Sequence, residues 1–430
     1  MRFRAELVAA ATAGRLHGPD VDIDGVSFDS RSVQHGQLFV PLVAERNGHE
    51  FIARALARGA AAYLTSQPPV GGTAIEVADT LIALMALATA QRAHFSGPVI
   101  GITGSVGKTS TKDLAWAALA VSKRTWANER SFNNEQGLPT TLLNTPDGTE
   151  VMVLEMGMRG LGQIDELCSI AQPTIGVVTR VAEAHSELVG GIEGVARAKS
   201  ELVRALAAEG VAILNADDPR VRAMAASSAA PVLLFGEAAD AEIRVRDVRL
   251  DELARATFHL DTPWGAHEVR LGISGRHMVH NAAAALACVG AVGGDVAAGA
   301  AALAAVGLTA MRMDVRHTRT GAIVLDDSYN ANPTSMRAAL DTLASLPAQR
   351  RFAVLGLMAE IEDAPAEHFA VERYARTLGI QVIAFGTDLY GVTPTDDPVG
   401  ALGSLAGGDA VLVKGSRVVG LERIAAALLG

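Results

Sequence analysis

The segment Val99-Ile100-Gly101-Ile102-Thr103-Gly104-Ser105-Val106-Gly107-Lys108-Thr109-Ser110 reads as an apolar strand that breaks into a glycine-rich turn. A helix-competent run, TKDLAWAALAV, follows at 111–121. At such a junction glycines let backbone N–H groups turn inward onto phosphate oxygens, and the helix N-terminus adds its dipole. Lys108 supplies a point charge and Thr109 a hydroxyl for Mg²⁺. The glycines fall at 101, 104 and 107, with Ile102 where the strict G-x-x-x-x-G-K-[ST] pattern has glycine. The bland alternative is an ordinary strand–turn–helix junction that carries Gly-Lys-Thr by chance; the strand before and the helix after argue against it. Gly104, Ser105, Val106, Gly107, Lys108, Thr109 and Ser110 are therefore the nucleotide-binding candidates.

Outward from this loop, apolar runs alternate with helical patterns: VMVLEM (151–156), TIGVVT (174–179) and VAILN (211–215). Continuous apolar runs suit buried parallel strands, so a doubly wound, mostly parallel sheet is expected. Residues 241–275 alternate charged and apolar positions, which predicts an antiparallel β insertion. From near Gly307 the α/β pattern repeats through AIVLDD, FAVLGL, QVIAFG and AVLVKGS, as expected of a Rossmann-like unit. Before the loop lie short strand-like runs (VDIDGVSFDS, GQLFVPL), an amphipathic helix (HEFIARALARGA) and a strand (AAYLTS); Ser96-Gly97-Pro98 reads as a linker. The expectation is an α/β protein of three domains, at 1–97, 98–308 and 309–430.

The 430 residues carry 37 basic and 47 acidic side chains, a net charge of −10, and 49% are hydrophobic. That composition excludes a disordered chain and argues against a nucleic-acid binder, which needs a basic track. An anionic ligand remains compatible with basic residues placed locally. Two cysteines, Cys168 and Cys288, allow neither a disulfide framework nor a thiolate metal cage. Neither a signal peptide nor a membrane span is read, so a cytoplasmic protein without membrane insertion is expected.

Ligands of parallel sheets sit at the carboxyl ends of the strands. Glu155 ends one strand and His185 lies just beyond another, both within reach of a phosphate-loop crevice as metal ligands. Alone, Glu155 reads equally well as an N-cap or surface carboxylate, and His185 reads better as a structural histidine. Lys199, in the amphipathic stretch EGVARAKSEL (193–202), reads by itself as part of a solvated helix face.

Together these residues resemble the Mur ligase family, and the similarity spans almost the whole chain. The phosphate loop is similar to that family's T-G-[ST]-x-G-K-[ST] form. The resemblance implies an ATP-dependent ligase that joins an amino group to a carboxylate, with ATP and two Mg²⁺ sites. Thr109, Glu155, His185 and Lys199 fall at its metal positions, and there the lysine is carbamylated, which turns a repelling ammonium into a carboxylate-like ligand. Lys108, His185, Lys199 and Arg312 take the catalytic positions. Asn281 would contact adenine, Arg312 the ATP phosphates and Asp327 the ribose or phosphate region. Asn133-Asn134-Glu135, EMGM at 155–158 and Asp326-Asp327-Ser328-Tyr329-Asn330-Ala331-Asn332-Pro333 resemble the type that adds D-alanyl-D-alanine to a UDP-N-acetylmuramoyl-tripeptide. That type acts in peptidoglycan precursor synthesis. Ser30, Arg31, Arg46 and His49 resemble its uridine-diphosphate site, and Lys414, Ser416 and Arg417 its amino-substrate segment. Asn133, Asn134, Tyr329, Asn330 and Asn332 complete the substrate-binding candidates. A monomer is expected. The implied domain roles are a UDP-substrate unit, a central ATP unit and a C-terminal unit that closes over ATP.

Bland alternatives stand beside these roles: Arg312 and Arg417 as surface charges, Asn281 as a helix cap. The chain also departs from the family, with Arg159-Gly160 where Asn-His is expected, Leu357 where an acidic residue precedes Met-Ala-Glu, and Ser186 where Leu is common. A family ligase acting on another acid and amine, and a phosphate-loop NTPase switch, are the competing readings.

Overall fold

The computed structural model describes residues 2–129, 132–182, 189–307, 311–359 and 361–430. Among them, strands β1 (Arg2–Arg4) to β7 (Ala74–Glu76) lie in the first block. β1 pairs with β3 (Asp22–Asp24), while β2 (Arg15–His17), β7, β6 (Ala62–Thr65), β5 (Leu38–Phe39) and β4 (Val26–Ser27) form a five-stranded sheet in that order. The HEFIARALARGA segment forms a 3₁₀ turn, Gly48–Phe51, that runs into the helix Ile52–Ala57. The helix Thr80–Arg92, which the sequence reading did not anticipate, leads into the linker.

The central sheet has the order β16-β15-β14-β13-β12-β11-β8-β10-β9. β8 (Val99–Thr103) sits between β10 (Val151–Glu155) and β11 (Ile175–Val178), parallel to both. All five β8 residues are buried, because helices cover both faces. Ile100 and Ile102 pack with Leu114 and Leu286 on one side. Val99, Met152 and Leu154 pack with Leu167 and Leu202 on the other. This two-sided burial explains why the strand is an uninterrupted apolar run. β9 (Thr125–Ala127), β12 (Val211–Asn215) and β13 (Val232–Gly236) extend the parallel part.

The antiparallel segment at 241–275 is the sheet's own edge rather than a separate insertion. β14 (Ile243–Leu250) adds parallel to β13, and β15 (Arg255–Thr262) and β16 (Gly265–Ser274) follow antiparallel. Their inward residues, Ile243, Val245, Phe258, Leu260, Val269 and Leu271, join the core shared with the helix Met278–Ala291. The outward residues face water, which produces the alternation.

The third sheet has the order β17-β18-β21-β19-β20. β18 (Ile323–Asp326), β19 (Arg350–Leu355), β20 (Gln381–Ala384) and β21 (Asp409–Lys414) are parallel, and they are the four runs read from the sequence. β17 (Asp314–His317) is a charged antiparallel edge strand that carries no such signal. No described helix is long and apolar enough to cross a membrane.

Candidate functional site

The carboxyl ends of β8, β10 and β11 open into a cleft of ≈ 570 Å³, also lined by Arg312, Asp327, Tyr329, Asn330, Asn332 and Lys414 of the third unit. The turn Gly104–Gly107 forms its floor. Ser105 N–H donates to Arg180 O (2.7 Å), Ser105 Oγ donates to Ala182 O (2.8 Å), and Thr179 Oγ1 donates to Val106 O (2.6 Å). These bonds fix the loop to the end of β11. A Cβ at Gly104 would overlap the Thr179 hydroxyl, and one at Gly107, where φ is +84°, would come within 2.5 Å of Asn281 Oδ1. Both glycines are therefore required by close approach as well as by backbone conformation. Lys108 opens the helix Lys108–Ala120, and its Nζ donates to Gly104 O (2.7 Å).

Glu155 ends β10 as predicted, and it is 1% exposed. Its Oε2 accepts from Thr109 Oγ1 (2.7 Å) and its Oε1 from Asn133 Nδ2 (2.6 Å). The N-cap and surface readings of Glu155 are thereby removed. Asn128 extends the β9 ladder with its side chain: Oδ1 accepts from Glu155 N–H (2.8 Å) and Nδ2 donates to Glu155 O (3.1 Å). It holds the carboxylate in place, yet β9 is too short to have drawn attention to it.

The solvated-face reading of Lys199 is overturned. In the helix Gly191–Arg204 its side chain turns inward, 4% exposed, and lines the cleft. Burial, with the Lys108 ammonium nearby, pulls its amine well below the usual lysine range. Burial likewise lowers Lys108, which Glu155 partly offsets and Arg312 reinforces. Arg312 places its guanidinium carbon over the Tyr329 ring, 4.3 Å from the centroid, and its buried Nε finds no hydrogen-bond partner among the described residues. Lys108, Lys199, Arg312 and Glu155 thus line one cleft around the phosphate loop.

Asp327, Tyr329, Asn330, Asn332, Lys414, Asn133, Asn134 and Asn281 also line the cleft. Lys414 is ion-paired to Asp327 and donates to Asn330 O (2.9 Å), so β18 and β21 are locked together at their ends. Asn332 caps the helix Pro333–Ser345 through a capping box, as Asn-Pro at that point predicts. The cleft also exposes residues that the sequence reading missed: Thr179, Asn215, Asp217, His277 and His280. His280 Nε2 meets Asp217 Oδ2 at 2.9 Å. Desolvation within the cleft lowers His277 to a pKa of about 4, so it is neutral at physiological pH. Thr179 and Asn215 sit at strand ends, where reading every strand end would have found them.

Other predicted residues lie apart. His185 lies outside the described residues. Ser30, Arg31, Arg46 and His49 are in the first unit and do not line the cleft. Arg31 is exposed and paired to Asp29 (2.8 Å). His49 is used internally: Nε2 accepts from Ser66 N–H (3.1 Å), which leaves Nδ1 to donate to Asn47 Oδ1 (2.8 Å). Ser416 and Arg417 also miss the cleft: Ser416 Oγ accepts from Ala359 N–H (2.9 Å), and Arg417 pairs with Glu422 (3.2 Å).

Comparison with known proteins adds the relatives. Residues 102–289 match the family profile of the Mur ligase middle domain, and 311–417 that of the Mur ligase, glutamate ligase domain. The UDP-N-acetylmuramoyl-tripeptide–D-alanyl-D-alanine ligase of Mycobacterium tuberculosis is 40% identical, covering 94% of this chain and 92% of that one. The UDP-N-acetylmuramoylalanyl-D-glutamyl-2,6-diaminopimelate–D-alanyl-D-alanyl ligase of Acinetobacter baumannii superposes with a TM-score of 0.88 at 29% identity, over 100% of this chain and 98% of that one. The MurF ligase of Thermotoga maritima in complex with ADP superposes at 0.83 with 28% identity, over 94% and 96%.

Proposed function

Because the chain belongs to the Mur ligase family, we propose that it uses ATP to join D-alanyl-D-alanine to a UDP-N-acetylmuramoyl-tripeptide in peptidoglycan precursor synthesis. The observation that supports this reading is the gathering of Lys108, Thr109, Glu155, Lys199 and Arg312 in one cleft around the phosphate loop.

A carboxylate repels an amine and has no good leaving group. A terminal carboxylate oxygen of the tripeptide attacks the γ-phosphorus of ATP, ADP leaves, and an acyl phosphate forms. Lys108 and Arg312 offset the charge that spreads over the phosphoryl oxygens. The dipeptide's free amine then attacks the acyl carbon. The tetrahedral intermediate expels phosphate, the nitrogen loses its proton, and an amide remains. Asn281, packed on Gly107, faces the base of the nucleotide. Asp327 and Lys414 hold the roof, and closing it excludes the water that would hydrolyse the acyl phosphate.

The Mg²⁺ expected in this family fits the residues present. Thr109 Oγ1 and Glu155 Oε2 are hard oxygen donors on facing elements, whereas no group of three or more His, Cys, Asp or Glu that could hold a metal occurs among the described residues. That set suits an ion that keeps waters and enters on a phosphate. Bound there, Mg²⁺ would neutralise phosphate charge. A second ion would fall to His185 and Lys199. The depressed Lys199 amine suits carbamylation, since the neutral amine is the form that captures CO₂. The reading extends to a cytoplasmic monomer, with Ser30, Arg31, Arg46 and His49 toward the uridine diphosphate and Ser416 and Arg417 toward the dipeptide.

The test is phosphate release and product mass with ATP, Mg²⁺, the UDP-tripeptide and a dipeptide panel. Release that needs both substrates, with the D-alanyl-D-alanine adduct as product, supports the reading. Turnover of ATP alone without an amide contradicts it, and an adduct of another amine moves the protein to a different ligase of the family, the alternative that Arg159-Gly160 and Leu357 raise.

A further inference from the structure

Arg159 lines the cleft and has no part in the proposed chemistry. It follows EMGM in the turn before the helix Gln163–Ala171, and it is exposed and lines the cleft. The turn itself is rigid. Gln163 Oε1 accepts both Arg159 N–H (2.6 Å) and Gly160 N–H (3.0 Å), and Glu201 accepts Gly162 N–H (2.8 Å) and Asp165 N–H (3.1 Å). The guanidinium has no ion-pair or hydrogen-bond partner among the described residues, although Glu135 and Glu166 line the same cleft.

Position along the cleft gives this cation its ligand. In the strand order β12-β11-β8-β10, Asp217 follows β12 on one side of the phosphate loop, where the helix of His280 and Asn281 packs on β12 and β13, while Glu155 ends β10 and Arg159 follows it on the other side. With the nucleotide base beside Asn281, the acid substrate must approach the γ-phosphate from the Asn133–Arg159 side. A Cβ at Gly160 would meet only Gln163 Cδ, at 3.9 Å, so backbone geometry does not impose glycine beside Arg159.

We propose that Arg159 is a specificity residue that grips, through its planar fork, a carboxylate of the peptide substrate other than the one being activated. The inference rests on the proposed ligase reading. A γ-linked D-glutamyl residue and a diaminopimelyl residue each carry such a spare carboxylate, and the neighbouring phosphate cations are then left to the nucleotide.

The experiment compares wild type, Arg159→Gln and Arg159→Lys with two UDP-tripeptides, one with the spare carboxylates free and one with them converted to carboxamides. The wild type should prefer the free acid, by about tenfold or more in kcat/KM. Arg159→Gln should raise KM for the free acid by at least that factor, leave KM for ATP unchanged and abolish the preference. Arg159→Lys should recover part of it. Unchanged preference in Arg159→Gln, or an equal rise in KM for ATP, overturns the inference while leaving the ligase reading intact. Absence of amide formation by the wild type overturns the ligase reading instead.

Discussion

At the scale of single residues, Lys199 is the most informative position, because its chemistry was invisible in its own segment. A lysine in a charged amphipathic helix reads as solvated, and only the tertiary fold turns it toward Lys108. Glu155 differed, since a carboxylate ending an apolar strand beside a phosphate loop is legible from position alone. Replacing Lys199 by Met should lower amide formation about 100-fold or more, measured as product per unit time at saturating substrates. In buffer freed of CO₂, where the lysine stays an uncarbamylated amine, the same change should stabilise the fold. The lysine's folded pKa lies below its unfolded value, so the unfolded chain holds a proton that the native chain lacks, and wild-type stability rises with pH through that interval. The Met variant's gain in Tm should thus be greatest below the depressed pKa and shrink as pH approaches 10.5, the ordinary lysine value. A gain that grows with pH would contradict this burial.

At the scale of elements, strand–turn–helix units made most of the fold readable. Buried parallel strands must be apolar throughout, and the runs at 151–156, 211–215 and 381–386 were read on that ground. Short or charged elements were not. β9 has three half-buried residues and β17 is a polar edge, so neither carries a periodic signal. In the phosphate loop, glycine answers to space. Gly104→Ala should weaken ATP binding at least tenfold by titration calorimetry, since its methyl would displace Thr179 and the loop tied to it. Gly160→Ala, which meets open space, should leave ATP affinity unchanged. Asn332→Ala removes a capping box and should cost about 1 kcal/mol in denaturant unfolding, with the greater part of the activity kept if that side chain serves only as a cap.

At the scale of the whole molecule, the first and central units are joined by polar clamps that no sequence pattern announces. Arg92, 8% exposed, donates to Ala171 O (2.6 Å), Phe95 O (2.6 Å) and Gln172 O (3.0 Å). Asn144 pairs with both backbone groups of Val26, at 2.9 Å each. The bonds of Arg92 to Ala171 and Gln172, and of Asn144 to Val26, join residues more than 75 positions apart, and single-segment reading cannot see such partners. Asn144→Leu leaves two backbone groups unpaired and should cost about 2 kcal/mol, read as a fall in Tm. The account as a whole stands on one chemical claim, that the cleft converts a carboxylate into an acyl phosphate. Labelling the tripeptide's terminal carboxylate with oxygen-18 tests it most directly. Each amide formed should release one phosphate carrying a single labelled oxygen; unlabelled phosphate accompanying amide formation would contradict the account.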